Sequence, residues 1–384
     1  MTKARVLVTG ATGKTGGAVV TELLAHGHPV RASVRRRDAR SEALERHGAE
    51  VVVADIFDPD QLLDAMKDVQ RAYYLPPIHP YAIQSAVAFS VAARSARLES
   101  IVQLSQWLSH RSHPSVMTRQ TWLIDQLFAA LPGIAHTIIN PGLFADNFLR
   151  VIDLAALLGI YPVLTGDGKA APISNEDIAK TAAAVLIRPE RHAGMVYRPT
   201  GPKLLSGHEM ASVIATVVGH RVVPLRLPYW VFRKVAQQQG VDPIQISGYR
   251  YYVQDMMDGA FAFEGGVTNA VEALTGSPAE SFETTARRYA ALPFARQTLG
   301  NRLKAFANFN LTLFYPGYNL DRLDKAWGFP MPPKPTLSLE DERWRLEHGA
   351  LMAQQRPSGG ATNSGRLVAV LGRRTGTNIS AEPT

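Results

Sequence analysis

"LVTGATGKTG", Leu7 to Gly16, begins within the strand-like run Arg5 to Thr9 and opens the helix-like run Thr15 to Ala25. Its core spells Gly10, Ala11, Thr12, Gly13, Lys14, Thr15 and Gly16, a G-x-x-G-x-x-G pattern. Glycines at such positions permit a tight turn, let the backbone approach a pyrophosphate, and let the helix pack closely on the preceding strand. The free amides and the positive dipole end at the helix start then favour an anion. In this strand, turn and helix context the stretch predicts dinucleotide binding, with Gly10, Thr12, Gly13, Lys14, Thr15 and Gly16 as cofactor contacts. A Walker A loop is disfavoured, because the four-residue gap between its first glycine and a Gly-Lys pair is missing.

Working outward, Val30 to Val34, Glu50 to Ala54, Arg71 to Leu75, Ser100 to Leu104 and His136 to Ile139 read as further strands. Helical patterns lie between them at Asp60 to Met66, Ala82 to Ala93 and Val116 to Ala130. Apolar strands about 20 to 30 residues apart, alternating with helices, predict an α/β fold whose parallel sheet is covered on both faces. Residues 1–150 are thus expected to form a Rossmann-type, doubly wound NAD(P)-binding domain.

Beyond Asn140 the connections lengthen. "ISNEDIAKTAAAVL" predicts a helix capped by Asn175, "GMVYRPTG" a strand, and "LLSGHEMASVIATVVG" a helix entered through Ser206. Residues 151–300 are expected to form a smaller α/β substrate lobe, some of whose elements return to the main sheet. Residues 301–354, rich in proline and in aromatics such as Phe306, Phe309, Trp327 and Trp344, read as an extension packed on the body. Residues 355–384 are rich in glycine, serine, threonine and arginine and are expected to be a disordered tail.

Composition narrows the chemistry. The 384 residues are 46% hydrophobic and 19% charged, as in a globular chain, and contain no cysteine. Disulfides, thiolate nucleophiles and cysteine-ligated metals are excluded, and a reducing compartment fits. Ala72 to Ala93 is uncharged and long enough to span a bilayer, but Pro76, Pro77, His79 and Pro80 make it strand, turn and helix. With "MTKARVLV" running straight into a strand, the expectation is a cytoplasmic protein without membrane association. The net charge of +8 is modest, the arginine-rich tail carries part of it, and no helix-turn-helix or zinc pattern accompanies it. Direct nucleic-acid binding is therefore not expected.

The end of the second strand selects the cofactor. NAD-specific sites place an acid there, whereas this chain reads "VRASVRRRD", with Arg35, Arg36 and Arg37 before the first acid, Asp38. A guanidinium grips a 2′-phosphate that a carboxylate would repel, so NADP(H) is preferred over NAD(H), with Arg35 as the contact. In "VVVADIFDP", Asp55 and Ile56 are placed to bound the adenine, unless Asp55 merely caps a turn.

Together "TGATGKTG", "VRASVRRRD", "VVVADIFDP", "IVQLSQ", "HTIINPGLFADNF", "ISNEDIA" and "NAVEALTGSPAESFE" resemble the extended, atypical short-chain dehydrogenase/reductases, specifically the NmrA-like group of quinone reductases and NADP-sensing regulators. The resemblance implies that Leu75 and Pro76 lie near the nicotinamide ribose. It also implies that Ser105, Asn140, Pro141, Gly142 and Phe144 surround the nicotinamide.

One departure from the wider superfamily matters for chemistry. The usual Tyr-x-x-x-Lys proton relay is absent: no tyrosine has a lysine four residues later, and Ser105 to Pro141 holds neither residue type. A simple ketone would then lack its proton donor, whereas a quinone yields a delocalised, weakly basic product. The expected activity is therefore hydride transfer from NADPH to a quinone or similar conjugated carbonyl, with Ser105 the one catalytic candidate. The alternative is a non-catalytic NADP(H) redox sensor that regulates a transcription factor, its regulatory protein partner, by protein–protein contact. His110 and His113 in "HRSH" offer substitute acids, but read more simply as exposed loop residues. Arg119 opens the helix where relatives often place catalytic groups. Of Tyr73 and Tyr74, one is expected in the core and one at the pocket. No metal site is expected.

Overall fold

Val6–Val8 (β1) is apolar throughout and wholly buried, with Val6 and Val8 facing one layer of helices and Leu7 the other. The computed structural model describes residues 3–357. After β1 come α1 (Lys14–Ala25), β2 (Val30–Val34), α2 (Ala39–Arg46), β3 (Glu50–Val53), α3 (Pro59–Ala65), β4 (Arg71–Tyr74), α4 (Ala82–Ser95), β5 (Ser100–Leu104), α5 (Val116–Ala129) and β6 (Ala135–Ile139). The chain continues through α6 (Ala145–Leu149), α7 (Ile152–Leu158), β7 (Ile160–Val163), β8 (Lys169–Ala170), α8 (Asn175–Ile187), β9 (Val196–Tyr197), β10 (Leu205–Ser206), α9 (Gly207–Val218) and β11 (Val223–Arg226). It ends in helices: α10 (Tyr229–Gln238), α11 (Pro243–Asp258), α12 (Ala270–Thr275), α13 (Phe282–Ala290), α14 (Leu299–Leu311), α15 (Leu320–Trp327) and α16 (Glu342–Gln354).

Seven strands form one parallel sheet in the order β3-β2-β1-β4-β5-β6-β9. The order reverses between β1 and β4, which opens a crevice at the carboxyl ends of the strands. One face is covered by α1 and the alanine-rich α8, through Val19, Leu23, Ala182 and Val185. The other is covered by α3, α4 and α5, through Leu62, Phe89, Ile124 and Phe128. Double coverage corrects the expectation for Tyr73 and Tyr74. They do point to opposite faces, but each face is core, so both are fully buried.

Two local starts also differ from expectation. Ser174, not Asn175, caps α8 by accepting from Asp177 N–H. No helix is expected between Val34 and Glu50, yet Asp38 caps α2 there and forms a reciprocal pair with Ser41. The helix α9 does begin at Ser206, in a capping box with Glu209.

The smaller region packs α6, α7, α9 and α13 around Leu149, Tyr161, Met210 and Phe282. Its strand β9 returns to the main sheet beside β6. In the extension, Ala305 of α14 packs on α7, Leu320 of α15 on Ala236 and Ile246, and α16 buries Trp344 and Met352 against Trp107 and Leu108. Gln355, expected at the head of a disordered tail, is buried; its side chain bonds Val196 O and Arg198 N. Residues 358–384 of that tail lie outside the described residues.

Candidate functional site

The glycine loop lies at the carboxyl end of β1. Gly10 has φ +62°, where a side chain would be strained and would meet Leu75 Cδ2 at 2.8 Å. A Cβ on Gly16 would fall 2.3 Å from Gly10 O, so helix and loop touch backbone to backbone. Gly13 caps α1 without a side-chain hydrogen bond, and the first-turn amides of Lys14, Thr15 and Gly16 have no carbonyl within the helix to receive them. Gly10 and Gly13 are exposed. This is a bare, positively polarised helix start behind a loop that admits no side chain at Gly10 or Gly16, and it fits a pyrophosphate.

Two polar side chains of the loop are already engaged. Thr15 Oγ1 donates to Asn175 Oδ1 at 2.7 Å, tying α1 to α8. The Lys14 ammonium donates to Asp146 on α6 and lies 5.2 Å from the centre of the Tyr289 ring on α13. The Tyr289 hydroxyl also donates to Asp146. Lys14 thus links the main sheet to the smaller region.

Arg35, Arg36 and Arg37 are exposed at the end of β2. Arg37 is occupied by Glu45 and by Val51 O. A residue missed in the sequence, Arg40, pairs with Asp38 at 2.6 Å and reaches Thr12 O at 3.5 Å. Its guanidinium holds the Asp38 carboxyl down at about 2. Asp55 is exposed and accepts from Phe57 N–H at 3.0 Å, a turn contact that occupies one carboxylate oxygen; Ile56 is half-buried beside it.

At the ends of β4, β5 and β6, Leu75, Ser105 and Asn140 to Phe144 lie across neighbouring strands. Leu75 N–H donates to Thr9 Oγ1, and Pro76 follows it half-buried. Asn140 is buried with Oδ1 lacking any partner among the described residues. Such an orphaned acceptor suits a ligand amide. Pro141 and Gly142 are buried, Gly142 N–H donates to Pro199 O, and Phe144 bridges to Ile173.

Ser105 is turned toward a carboxyl, Asp125, that is not among the expected site residues. Its Oγ lies 2.8 Å from Asp125 Oδ2, where Ser109 Oγ also donates at 2.9 Å, and Gln103 Nε2 donates to Oδ1 at 2.6 Å. Burial pushes the Asp125 carboxyl up to about 7, against the pull of these three donors. His136 extends the chain, with Nε2 3.0 Å from Gln103 Oε1. Asp125 shares the buried face of α5 with Thr118, Thr121 and Phe128, which was the signal available in the sequence.

A largely apolar cavity of about 510 Å³ adjoins this region. Leu143, Phe148, Tyr252 and Met256 form part of its wall, together with Val231 and Phe309. Tyr252 OH donates to Gln106 Oε1 at 2.6 Å, next to Ser105. Arg150 and Asp153 add two ionisable groups to the lining, and burial raises the Asp153 carboxyl.

His110 and His113 correct the expectation of an exposed loop, because α11 and the start of α16 fold over them. His113 is wholly buried, accepts from Ser115 N–H at Nδ1 and donates from Nε2 to Asp255 at 2.9 Å. His110 is 5% exposed, has no hydrogen-bond partner among the described residues, and burial depresses its imidazole to about 4. Neither lines the cavity. Arg119 is a buried clamp that donates to His113 O, Pro114 O and Pro330 O. Among the described residues, no group of three or more His, Asp or Glu side chains is placed to hold a metal.

Comparison with known proteins adds four findings. Residues 2–117 match the family model described as NmrA-like family. The chain is 28% identical over 292 residues to an NAD(P)H azoreductase of Xenophilus azovorans, covering 74% of this chain and 98% of that protein. It is 30% identical over 244 residues to a nitrogen metabolite regulation-like protein, bik4, of Gibberella fujikuroi, covering 55% of this chain and 72% of that one. In structure it resembles an NADPH-dependent quinone oxidoreductase of Escherichia coli solved with NADPH, at 23% identity and a TM-score of 0.62, covering 74% of this chain and 99% of that one.

Proposed function

The chain belongs to the NmrA-like family, and from that premise we propose that it is an NAD(P)H-dependent reductase passing hydride to a quinone or similar conjugated acceptor. The observation that carries the reading is the join between glycine cradle and apolar cavity: the segment from Asn140 to Phe148 edges the crevice at one end and lines the cavity at the other.

The glycine loop and the first-turn amides of α1 would hold the pyrophosphate. Arg35 would hold the 2′-phosphate, while Asp55 and Ile56 border the adenine. Leu75, Pro76, Ser105 and Asn140 to Phe144 would bound the nicotinamide end. When bound, NADPH supplies a hydride. The apolar wall of the cavity orients a flat acceptor and excludes water, which strengthens any hydrogen bond to its oxygen.

The missing tyrosine and lysine leave proton supply to Ser105. Its hydroxyl can rotate to donate to an acceptor oxygen while taking a proton from Asp125, whose carboxyl is part-protonated near neutral pH. Ser109, half-buried, connects Asp125 toward solvent. One hydride and one proton together convert a quinone to its hydroquinone.

The test is NADPH oxidation by the purified chain across a panel of quinones and an azo dye, followed by loss of NADPH absorbance. The reductase reading expects saturable oxidation that is faster with NADPH than with NADH. Tight NADP(H) binding by calorimetry, without oxidation above the uncatalysed rate, would replace it with the sensor reading suggested by the regulatory relative.

A further inference from the structure

The helix α14 carries an apolar face on each side. Ala305 and Thr312 are buried against the body, while Leu299, Leu303 and Phe306 form a stripe on the opposite side at helical spacing. Leu303 is 62% and Phe306 61% exposed, and Leu313 and Phe314 continue the patch at 68% and 83%. Trp230 of the neighbouring α10 adds an indole that is 52% exposed. The two helices are joined by Gln238, which donates to Asn308 O and accepts from Thr312 Oγ1. Isolated exposed apolar side chains are ordinary, but a contiguous patch of large ones marks a surface that is covered in use.

Charge says what covers it. No acidic residue occurs between Glu283 and Asp321, or between Glu209 and Asp242, the stretches that contain α14 and α10. They do contain Arg296, Arg302, Lys304, Arg233 and Lys234. A second copy docked by the same face would bring these cations against their own kind, whereas an anionic surface would neutralise them. The patch is also continuous with the cavity, since Phe309 and Leu313 are exposed on the surface and line the cavity.

We propose that α14 and the turn after it seat this protein on an anionic phospholipid surface, with the cavity opening toward the lipid. Apolar side chains enter the acyl boundary and the flanking cations meet the headgroups. The lack of a helix long and apolar enough to cross a membrane, among the described residues, does not bear on a helix lying in the interface plane. Resting on the reductase reading, the acceptor class is then a lipophilic quinone dissolved in the bilayer.

The test is flotation of the full chain with phosphatidylcholine vesicles, with and without phosphatidylglycerol, in low and high salt and in the absence of cofactor. Binding should require the anionic lipid, weaken in salt, and fall by about tenfold or more in Leu303→Asp/Phe306→Asp. Both positions are exposed and neither lines the cavity, so melting should be unchanged; Lys304→Glu gives a second reading should the double variant misfold. Absence of anionic-vesicle binding overturns the proposal. So does binding that neither variant weakens, or a dimer in sedimentation that the double variant dissociates without any vesicle binding. Oxidation of NADPH with a water-soluble short-chain quinone, without vesicles, reads the reductase activity separately.

Discussion

Ser105 Oγ and Asp125 Oδ2 are 2.8 Å apart in a buried site on the β5 and α5 side of the crevice. If this pair supplies the proton, Asp125→Asn should lower kcat by about tenfold to hundredfold with little change in KM for the acceptor. The wild type should lose activity as pH rises through about 7, where Asp125 ionises, and the variant should lack that limb. A purely structural role would lower activity equally at all pH values, leaving the shape of the profile intact.

Arg35 has no partner among the described residues, while Arg37 is held by Glu45 and Arg40 by Asp38. Arg35→Asp should therefore weaken NADPH by roughly tenfold to hundredfold, the scale of one charge-assisted contact plus new repulsion, and leave NADH nearly unchanged. Calorimetric titration of each cofactor decides this. Equal loss for both would remove Arg35 from the 2′-phosphate site.

Gly16→Ala places a methyl 2.3 Å from Gly10 O, so strand turn and helix must separate. The expected result is loss of affinity for both cofactors, together with destabilisation of about 1–3 kcal/mol in urea melts. The substitution Gly133→Ala is a control for stability alone, because Gly133 has positive φ with open space around it, far along the chain from the loop. Retained affinity in Gly16→Ala would show that the loop does not cradle the pyrophosphate.

Much of this was legible in the sequence because it is local. The strand starts at Val30 and Ser100 follow from apolar runs, and the Ser206 cap from its spacing to Glu209. The glycine cradle follows from β1, the loop and α1 being contiguous. What escaped depends on contacts between distant segments. Asp255, roughly 140 residues from His113, turns "HRSH" from an exposed loop into a buried cluster. Lys14 meets Asp146 and Tyr289 only after three segments converge. Asp125 was visible as an acid on an apolar helical face, but its donors Gln103, Ser105 and Ser109 arrive from the neighbouring strand and loop.

The buried ionisable groups make opposing contributions to stability in acid. Asp125, raised to about 7 from 3.8, is favoured in its protonated form by folding, so its contribution is complete at low pH and lost as pH rises toward 7. His110 and His136, lowered to about 4 from 6.5, are favoured neutral, so their contributions are complete above 6.5 and lost as pH falls toward 4. Between these limits the slopes oppose one another, and His348, also held neutral by burial, adds to the histidine side, so the wild type should lose stability on acidification. Removing one side should unmask the other, by on the order of 1–3 kcal/mol across the window given about 1.4 kcal/mol per unit of separation. Urea melts of Asp125→Asn should therefore steepen in their loss of stability on acidification from about pH 7 to about pH 4.5. Those of His110→Phe, which keeps a ring against His113, should lose less than the wild type over the same range. Parallel profiles for all three proteins would mean that these groups titrate alike in the folded and unfolded chains.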